Sequence, residues 1–515
     1  MTDRLILMGG NVIPMTAEGV RAQTLALEGR RIRLVGSRED VHGLMDQGWP
    51  VLDLTGKTVL PGFIDTHQHM MLTGSQATAV HLDDVGSLAD ILDRISTRCR
   101  ETEPDEWVRG SYLNEQNIAE KRMPTRQELD RVSAERPLFV MHATCHMCSL
   151  NSKALELLDP PRDLNGLDLQ GGQPTGVVRD PGILTFVHPA MARMTTENRK
   201  LAYLQEAARM ALAKGITTLH ALDGGDLGPG ETRIIWAHRQ ELPVGVVCYN
   251  QCMDLREVAE MGLPRVGGCI CADGAFEAHT AALFEPYADE PDNYGELTYS
   301  QETMDRFIRD ANRAGLQVSV HCESERSIEQ VLWAMEKALR DFPRTDHRHR
   351  IEHLELPTHN QIARMARAGV VAAMQPAFIP AFIGHTAMET YERLLGKARL
   401  SRVHPYRTIL DHGIQICGGS DSPVTSYDPL AGIQAAVNHP NPEQRVTRFE
   451  AVRMFTATAA WSAFEEADKG TIEPGKRADL VILDRDPFQV AADHIASIRA
   501  EMVFVGGRRY LCGSQ

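Results

Sequence analysis

The residues best suited to chemistry in this chain are histidines at the ends of apolar runs. In "FIDTHQH", His67 and His69 flank Gln68. Side chains i and i+2 of an extended strand share a face, so both imidazoles point the same way with room for a metal ion between them. His321 closes "LQVSVH", His353 closes "RIEH" and Asp421 closes "IQICGGSD". A single histidine in such a place is usually a hydrogen-bonded core residue. Several of them, joined by a carboxylate and each ending a different run, point instead to a mixed nitrogen and oxygen metal centre. A zinc ion lowers the pKa of bound water to about 7 and polarises a carbonyl, so the chemistry implied is hydrolysis.

A second stretch, "GGCICADG" at 267–274, puts Cys269, Cys271 and Asp273 at alternate positions of an apolar run. They share one face and are either satisfied core residues or the wall of a site.

The elements that would position these groups read as follows. From about residue 199, helical stretches such as "SQETMDRFIRDANRAG" and "SIEQVLWAMEKALRDF" alternate with the short apolar runs "ITTLHAL", "VGVVCYN", "CICADG", "QVSVHCE", "HRIEHLE", "VVAAMQP" and "IQICGGSD". With "TVLPGFIDTHQHM" in front, eight strands alternate with helices. That pattern predicts an α/β fold, a (β/α)8 TIM-like barrel, in which chemistry sits at the C-terminal ends of the strands. Residues 1–57 and 470–515 share a hairpin-rich texture and predict one small β-sandwich domain built from both termini. The barrel domain then runs from 58 to 469. Within it, 75–195 is too long for a strand-to-helix connection and reads as an insertion after the first strand, a lid over the mouth of the barrel.

The bulk properties fit a large catalytic domain and exclude other classes. The chain has 515 residues, is 43% hydrophobic and carries a formal charge of −15, which works against nucleic acid or an acidic membrane face as partner. No stretch offers the roughly 18 consecutive apolar residues of a membrane span, and the N-terminus lacks the layout of a signal peptide. The expectation is a soluble cytoplasmic protein acting on a small molecule, with a sheet edge or lid surface free for a homodimer. Ten cysteines scattered along so long a chain read as reduced thiols rather than a disulfide framework.

In order along the chain, "GKTVLPGFIDTHQH", "SLNSKAL", "QPTGV", "ADGAFEAHTAALFEPYAD", "RIEHLE", "MQPAF", "GSDSPV" and "GTIEPGKRADLVILD" resemble the amidohydrolase superfamily. The ordered set is similar to its YtcJ-like branch, amidohydrolase family 3. The resemblance implies a barrel with one or two divalent ions, most simply zinc, held by His67 and His69 on the first strand, His321 on the fifth, His353 on the sixth and Asp421 on the eighth. Asp421 is also the implied catalytic group, taking a proton from water and returning it to the leaving nitrogen.

On the fourth strand, many two-metal members carry a carboxylated lysine that bridges the ions; Cys269 stands at that position here. Three readings stay open: a thiolate that ligates or bridges, a small buried hydrophobe, or a space-filler beside a single metal. Cys271, on the same face, receives no role. Asp273 either contacts substrate or caps a turn. His146 and Asn151 match substrate contacts of the family, although Asn151 and Ser152 would also cap the helix that begins "KALELL". Gln375, ending "VAAMQ", is a substrate contact or a backbone bridge, and His220 carries the same ambiguity. Asp180 either approaches the metals or is a solvated carboxylate. Cys145 and Cys148 form one C-x-x-C without a second pair, which is a weak metal signature.

The function expected from these residues is metal-dependent hydrolysis of a carbon–nitrogen bond other than a peptide bond, in an N-substituted amide, carbamate or cyclic amide. Two other readings use the same scaffold: a deaminase of an aminated heterocycle and a non-catalytic binding or regulatory protein.

Overall fold

The computed structural model describes residues 4–103, 106–143, 147–179, 181–225, 228–383 and 388–513. They fall into two compact units, one of residues 1–68, 208–222 and 239–515, the other of 69–207 and 223–238.

The first unit is built on eight strands, Phe63–Gln68, Ile216–Asp223, Gly245–Asn250, Arg265–Cys271, Gln317–Cys322, Arg350–His353, Val371–Met374 and Ile416–Gly418, of which the first two pair in parallel and the last five run parallel in succession. We number them first to eighth in that order. The first three form one sheet in the order third, second, first, and the other five form a second sheet in sequential order. Phe63–Gln68, Ile216–Asp223 and Gln317–Cys322 are buried at every position, as parallel strands covered on both faces must be. Their helices are amphipathic for a local reason. In Gln301–Arg313, Met304, Phe307, Ile308 and Ala311 recur on one face and are buried, and Ser300 caps the first turn by accepting from the Thr303 amide. His359–Ala368 opens on a Thr358/Gln361 capping box and ends at Gly369 with φ 70°.

The stretch "TVLPGFIDTHQHM" is two strands rather than one. Thr58–Pro61 belongs to the sheet made by both termini, paired with Arg4–Val12 and Leu480–Leu483, and the chain crosses at Gly62 into the first parallel strand. That terminal sheet runs Arg508–Leu511, Ala500–Val505, Leu480–Leu483, Thr58–Pro61, Arg4–Val12, Ala22–Glu28, Arg31–Gly36, with Val51–Asp53 also pairing Arg4–Val12. Alternation decides what each face buries: Leu7, Leu25 and Leu27 join one apolar cluster, Ile6 and Ala26 another.

The second unit is built on a six-stranded sheet, ordered Leu167–Gln170, Gln173–Arg179, Met147–Leu150, Leu138–His142, Val108–Leu113, Val80–His81. Its helices include Leu88–Glu101, Arg126–Val132 and Ser152–Leu158, each with a side-chain N-cap. No described helix is long and apolar enough to cross a membrane.

Candidate metal centre

His67 lies in the fully buried first strand, and its ring is fixed from behind. Its Nδ1 donates to Glu352 Oε2 at 2.7 Å, which turns Nε2 toward Asp421 Oδ1 at 3.2 Å. Glu352 is itself held by Arg350, whose Nε and Nη2 donate at 2.7 and 2.9 Å, and by the Ser319 hydroxyl. Arg350 spends its remaining donors on the Thr66 carbonyl at 2.7 Å, the Tyr249 hydroxyl at 3.0 Å and His220 Nδ1 at 3.1 Å. Every member of this chain is buried, so the carboxylate and guanidinium neutralise each other and leave His67 a fixed tautomer.

Strand alternation alone would send His353 to the face opposite Arg350 and Glu352. Left-handed backbone at His353 (φ 66°) and Leu354 (φ 49°) breaks the alternation. The ring then lies 4.8 Å from that of His67 and 4.3 Å from that of His321, centroid to centroid. Asp421 also has positive φ, 57°, and its amide donates to the His67 carbonyl at 2.7 Å, tying the eighth strand's end to the first. Such strain on non-glycine residues concentrates where a side chain must be aimed at a site. Asp65 secures the same corner by accepting from the amides of His67 and Ser420.

The ligand atoms of His67, His353 and Asp421 lie within 4.8 Å of one another, as do those of Cys269, Cys271 and His321. The Cys269 and His67 ligand atoms are also within 4.8 Å of each other, which places Cys269 between the two groups. His321 Nδ1 is 3.7 Å from Cys269 Sγ, and its buried Nε2 has no hydrogen-bond partner among the described residues. These donors suit a divalent ion: clustered imidazoles, a carboxylate and thiols are the ligands such ions take. The local field agrees. Burial works against an imidazolium at His67, yet Asp421 and Glu352 outweigh it and push its pKa up to about 10, so the site favours positive charge. The Cys269 thiol is held well above its usual pKa by its hydrogen bond to Cys271 and by burial.

The remaining predicted residues divide. His69 follows two residues after His67 and is the first residue of the second unit, preceding helix Met70–Ala77, whose Met70 and Met71 amides donate to Asp223 at 3.0 Å. Gln375 is fully buried beyond the seventh strand, and neither amide atom has a partner among the described residues. Asn151 is a correction. Its Oδ1 accepts from Leu138 N and Ala154 N, and its Nδ2 donates to the Ser133 and Arg136 carbonyls. A carboxamide so engaged has nothing left for a substrate and serves as a helix cap. Asp273 accepts from the Glu323, Ala282 and Ser324 amides and the Ser324 hydroxyl, fixing the loops beyond the fourth and fifth strands, and its Oδ1 lies 3.7 Å from His321 Nε2. His220 accepts from Arg350 and is kept neutral by burial and that charge. Cys148 packs in the core of the second unit, whereas Cys145, His146 and Asp180 lie outside the described residues.

Sequence reasoning passed over Arg350, Glu352 and Ser319, for which the i, i+2 spacing of two opposite charges in an apolar strand was the one available signal. It also missed Glu323 and Glu355, whose ligand atoms cluster with His353; burial first, then neighbouring carboxylates, hold both well above the usual carboxylate range.

Parallel strands that bring histidines, a carboxylate and a thiol together at their C-terminal ends define a hydrolase of the metal-assisted kind. The chain belongs to the amidohydrolase family, whose model matches residues 50–510. It is a hydrolytic enzyme acting on carbon–nitrogen bonds. The YtcJ protein of Bacillus subtilis (strain 168), a proposed amidohydrolase, is 29% identical over 97% of this chain and 98% of its own. The N-substituted formamide deformylase of Arthrobacter pascens is 28% identical over 98% of this chain and 97% of its own. Among solved structures, an uncharacterized metal-dependent hydrolase from Pyrococcus furiosus is 26% identical, with a TM-score of 0.81 over 94% of this chain and 100% of that one.

Proposed function

We propose that the protein hydrolyses a non-peptide carbon–nitrogen bond of a small molecule, an N-substituted amide, carbamate or cyclic amide. The observation that carries this reading is the buried convergence of His67, His353 and Asp421 from three distant strands. Similarity to an N-substituted formamide deformylase along nearly the whole chain supports the N-substituted amide among the three classes.

The proposed ligands are His67, His69, Cys269, His321, His353 and Asp421, and the proposed metal is zinc, because a thiolate tilts a mixed site that way. When bound, the ion makes water nucleophilic near neutral pH and polarises the substrate carbonyl. Asp421 accepts the proton of the attacking water on a carboxylate oxygen and passes it to the leaving nitrogen. Glu352 keeps the His67 ring from turning, and the amide of Gln375, without a partner among the described residues, offers the substrate a donor and an acceptor.

In this reading the eight strands close into a (β/α)8 barrel. The hydrogen bonds from Thr66 Oγ1 to the Gly418 carbonyl and from Asp421 N to the His67 carbonyl support closure of the first strand on the eighth. The terminal sheet belongs to the accompanying β-sandwich of residues 1–57 and 470–515, to which Thr58–Pro61 adds a strand.

The test is metal analysis of the purified chain followed by a panel of N-substituted formamides, other amides, carbamates and cyclic amides. We expect a bound divalent ion and release of a substituted amine with a carboxylate. Ammonia released only from aminated heterocycles, or no turnover by the metal-loaded protein, would refute the reading.

A further inference from the structure

Cys271 has no counterpart in the chemistry above, yet the fold carries it to the site. Paired with the fifth strand, the fourth runs Gly267 opposite Ser319 and then Cys271 opposite His321, so four residues on one side span two on the other. Gly267 (φ 94°) and Gly268 (φ 99°) make this bulge. It accepts only glycine: a Cβ on Gly267 would stand 1.9 Å from the Ser319 carbonyl oxygen, and one on Gly268 would stand 2.8 Å from Leu222 Cγ. The extra residues advance Cys271 until it faces the histidine. Cys269 Sγ is then 3.7 Å from His321 Nδ1, the Cys271 thiol donates to the Cys269 carbonyl at 3.5 Å, and one ligand atom from each of the three lies within 4.8 Å of the others.

We propose that Cys271 is a metal ligand, completing with Cys269 and His321 a two-sulfur, one-nitrogen donor set for a thiophilic divalent ion, with Cys269 shared toward the His67 side. This rests on the metal-centre reading above and goes beyond it by making the fourth strand a dithiolate arm. Two thiolates bring two negative charges and softness, so the set prefers zinc, cadmium or cobalt to magnesium or manganese. Each thiol gives its proton to solvent as it binds. Cys271 is only partly buried, so a reagent can reach it when no ion is present.

The experiment uses the full chain, stripped with a chelator and reloaded with cobalt(II) or zinc(II) alone. Cobalt bound through sulfur gives a thiolate-to-metal charge-transfer band in the near ultraviolet. We expect Cys271→Ser to lose about half of the wild-type band per bound cobalt, the double Cys269→Ser/Cys271→Ser variant to lose all of it, and Cys512→Ser to keep it in full. A full band in Cys271→Ser overturns the proposal. Should that variant fail to fold, alkylation of the wild type decides: mass spectrometry should find Cys271 protected in the zinc-loaded chain and modified in the stripped one, and equal modification in both overturns it. A wild type that binds cobalt without any sulfur band refutes this inference and removes Cys269 from the ligands, while leaving the histidine and aspartate centre standing. A wild type that binds no divalent ion refutes the metal-centre reading as well.

Discussion

Glu352 Oε2 lies 2.7 Å from His67 Nδ1, and neither residue is exposed to solvent. The carboxylate sets the tautomer that leaves Nε2 facing Asp421, and Arg350 keeps that carboxylate ionised: burial alone would raise its pKa, but the guanidinium brings it below the usual value. Replacing such a partner of a metal-bound histidine typically costs 10- to 100-fold in metal affinity, and we expect about that loss in Glu352→Gln. Competition against a chromophoric chelator measures it. The same change leaves Arg350 without its charge partner, so denaturant stability should also fall, by about 3–5 kcal/mol. Unaltered metal affinity would show that the ring is held by something else.

Asp421 is expected to matter more for turnover than for occupancy. A positioned general base is worth about 10²- to 10⁴-fold, so Asp421→Asn should lose turnover on that scale while keeping most of its metal. Steady-state kinetics beside elemental analysis of the same sample separates the two. Near-normal rates would remove Asp421 from proton transfer, and loss of all metal would make it chiefly a ligand.

Asn151 holds four backbone groups, two amides and two carbonyls, from a fully buried position. Asn151→Ala removes a helix cap and strands buried polar groups, so it should cost about 2–4 kcal/mol in urea unfolding. KM for any substrate of the enzyme should not move. A raised KM at unchanged stability would restore Asn151 as a substrate contact.

His404 gives a pH dependence with a defined sign. It is fully buried beside Glu355, Tyr406 and His439, and burial, aided by His439, lowers its pKa to about 3. Its unfolded value is about 6.5, so between those pH values the unfolded chain binds the extra proton. The stability this histidine allows is therefore complete above pH 6.5 and declines as pH falls toward 3, at about 1.4 kcal/mol per pH unit in the limit. His404→Gln cannot take up that proton, so its denaturation midpoint should fall less steeply than the wild-type midpoint over this range. Parallel slopes would mean that His404 does not titrate on unfolding.

Several features of this protein were determined by the sequence alone, because they depend on short-range pattern. The i, i+2 spacing of His67 and His69, the apolar runs ending in His321, His353 and Asp421, and the alternation of strands with amphipathic helices are all local, and each follows from backbone period and burial. Tertiary structure decided what depends on partners distant in the chain. Arg350 and Glu352 look like an ordinary charge pair until the sixth strand is set beside the fifth and His67 is brought against it. Asn151 and Asp273 could be substrate contacts or caps by residue type; only the backbone groups around Asn151 show that its hydrogen-bonding capacity is already used, and only the amides 9 to 51 residues away show that Asp273 ties two loops together. Cys271 gains its place from a bulge whose register against the fifth strand no single strand can specify. Local pattern fixes which way a side chain leaves its own element; what it meets there is set by the register and packing of elements far apart in the chain.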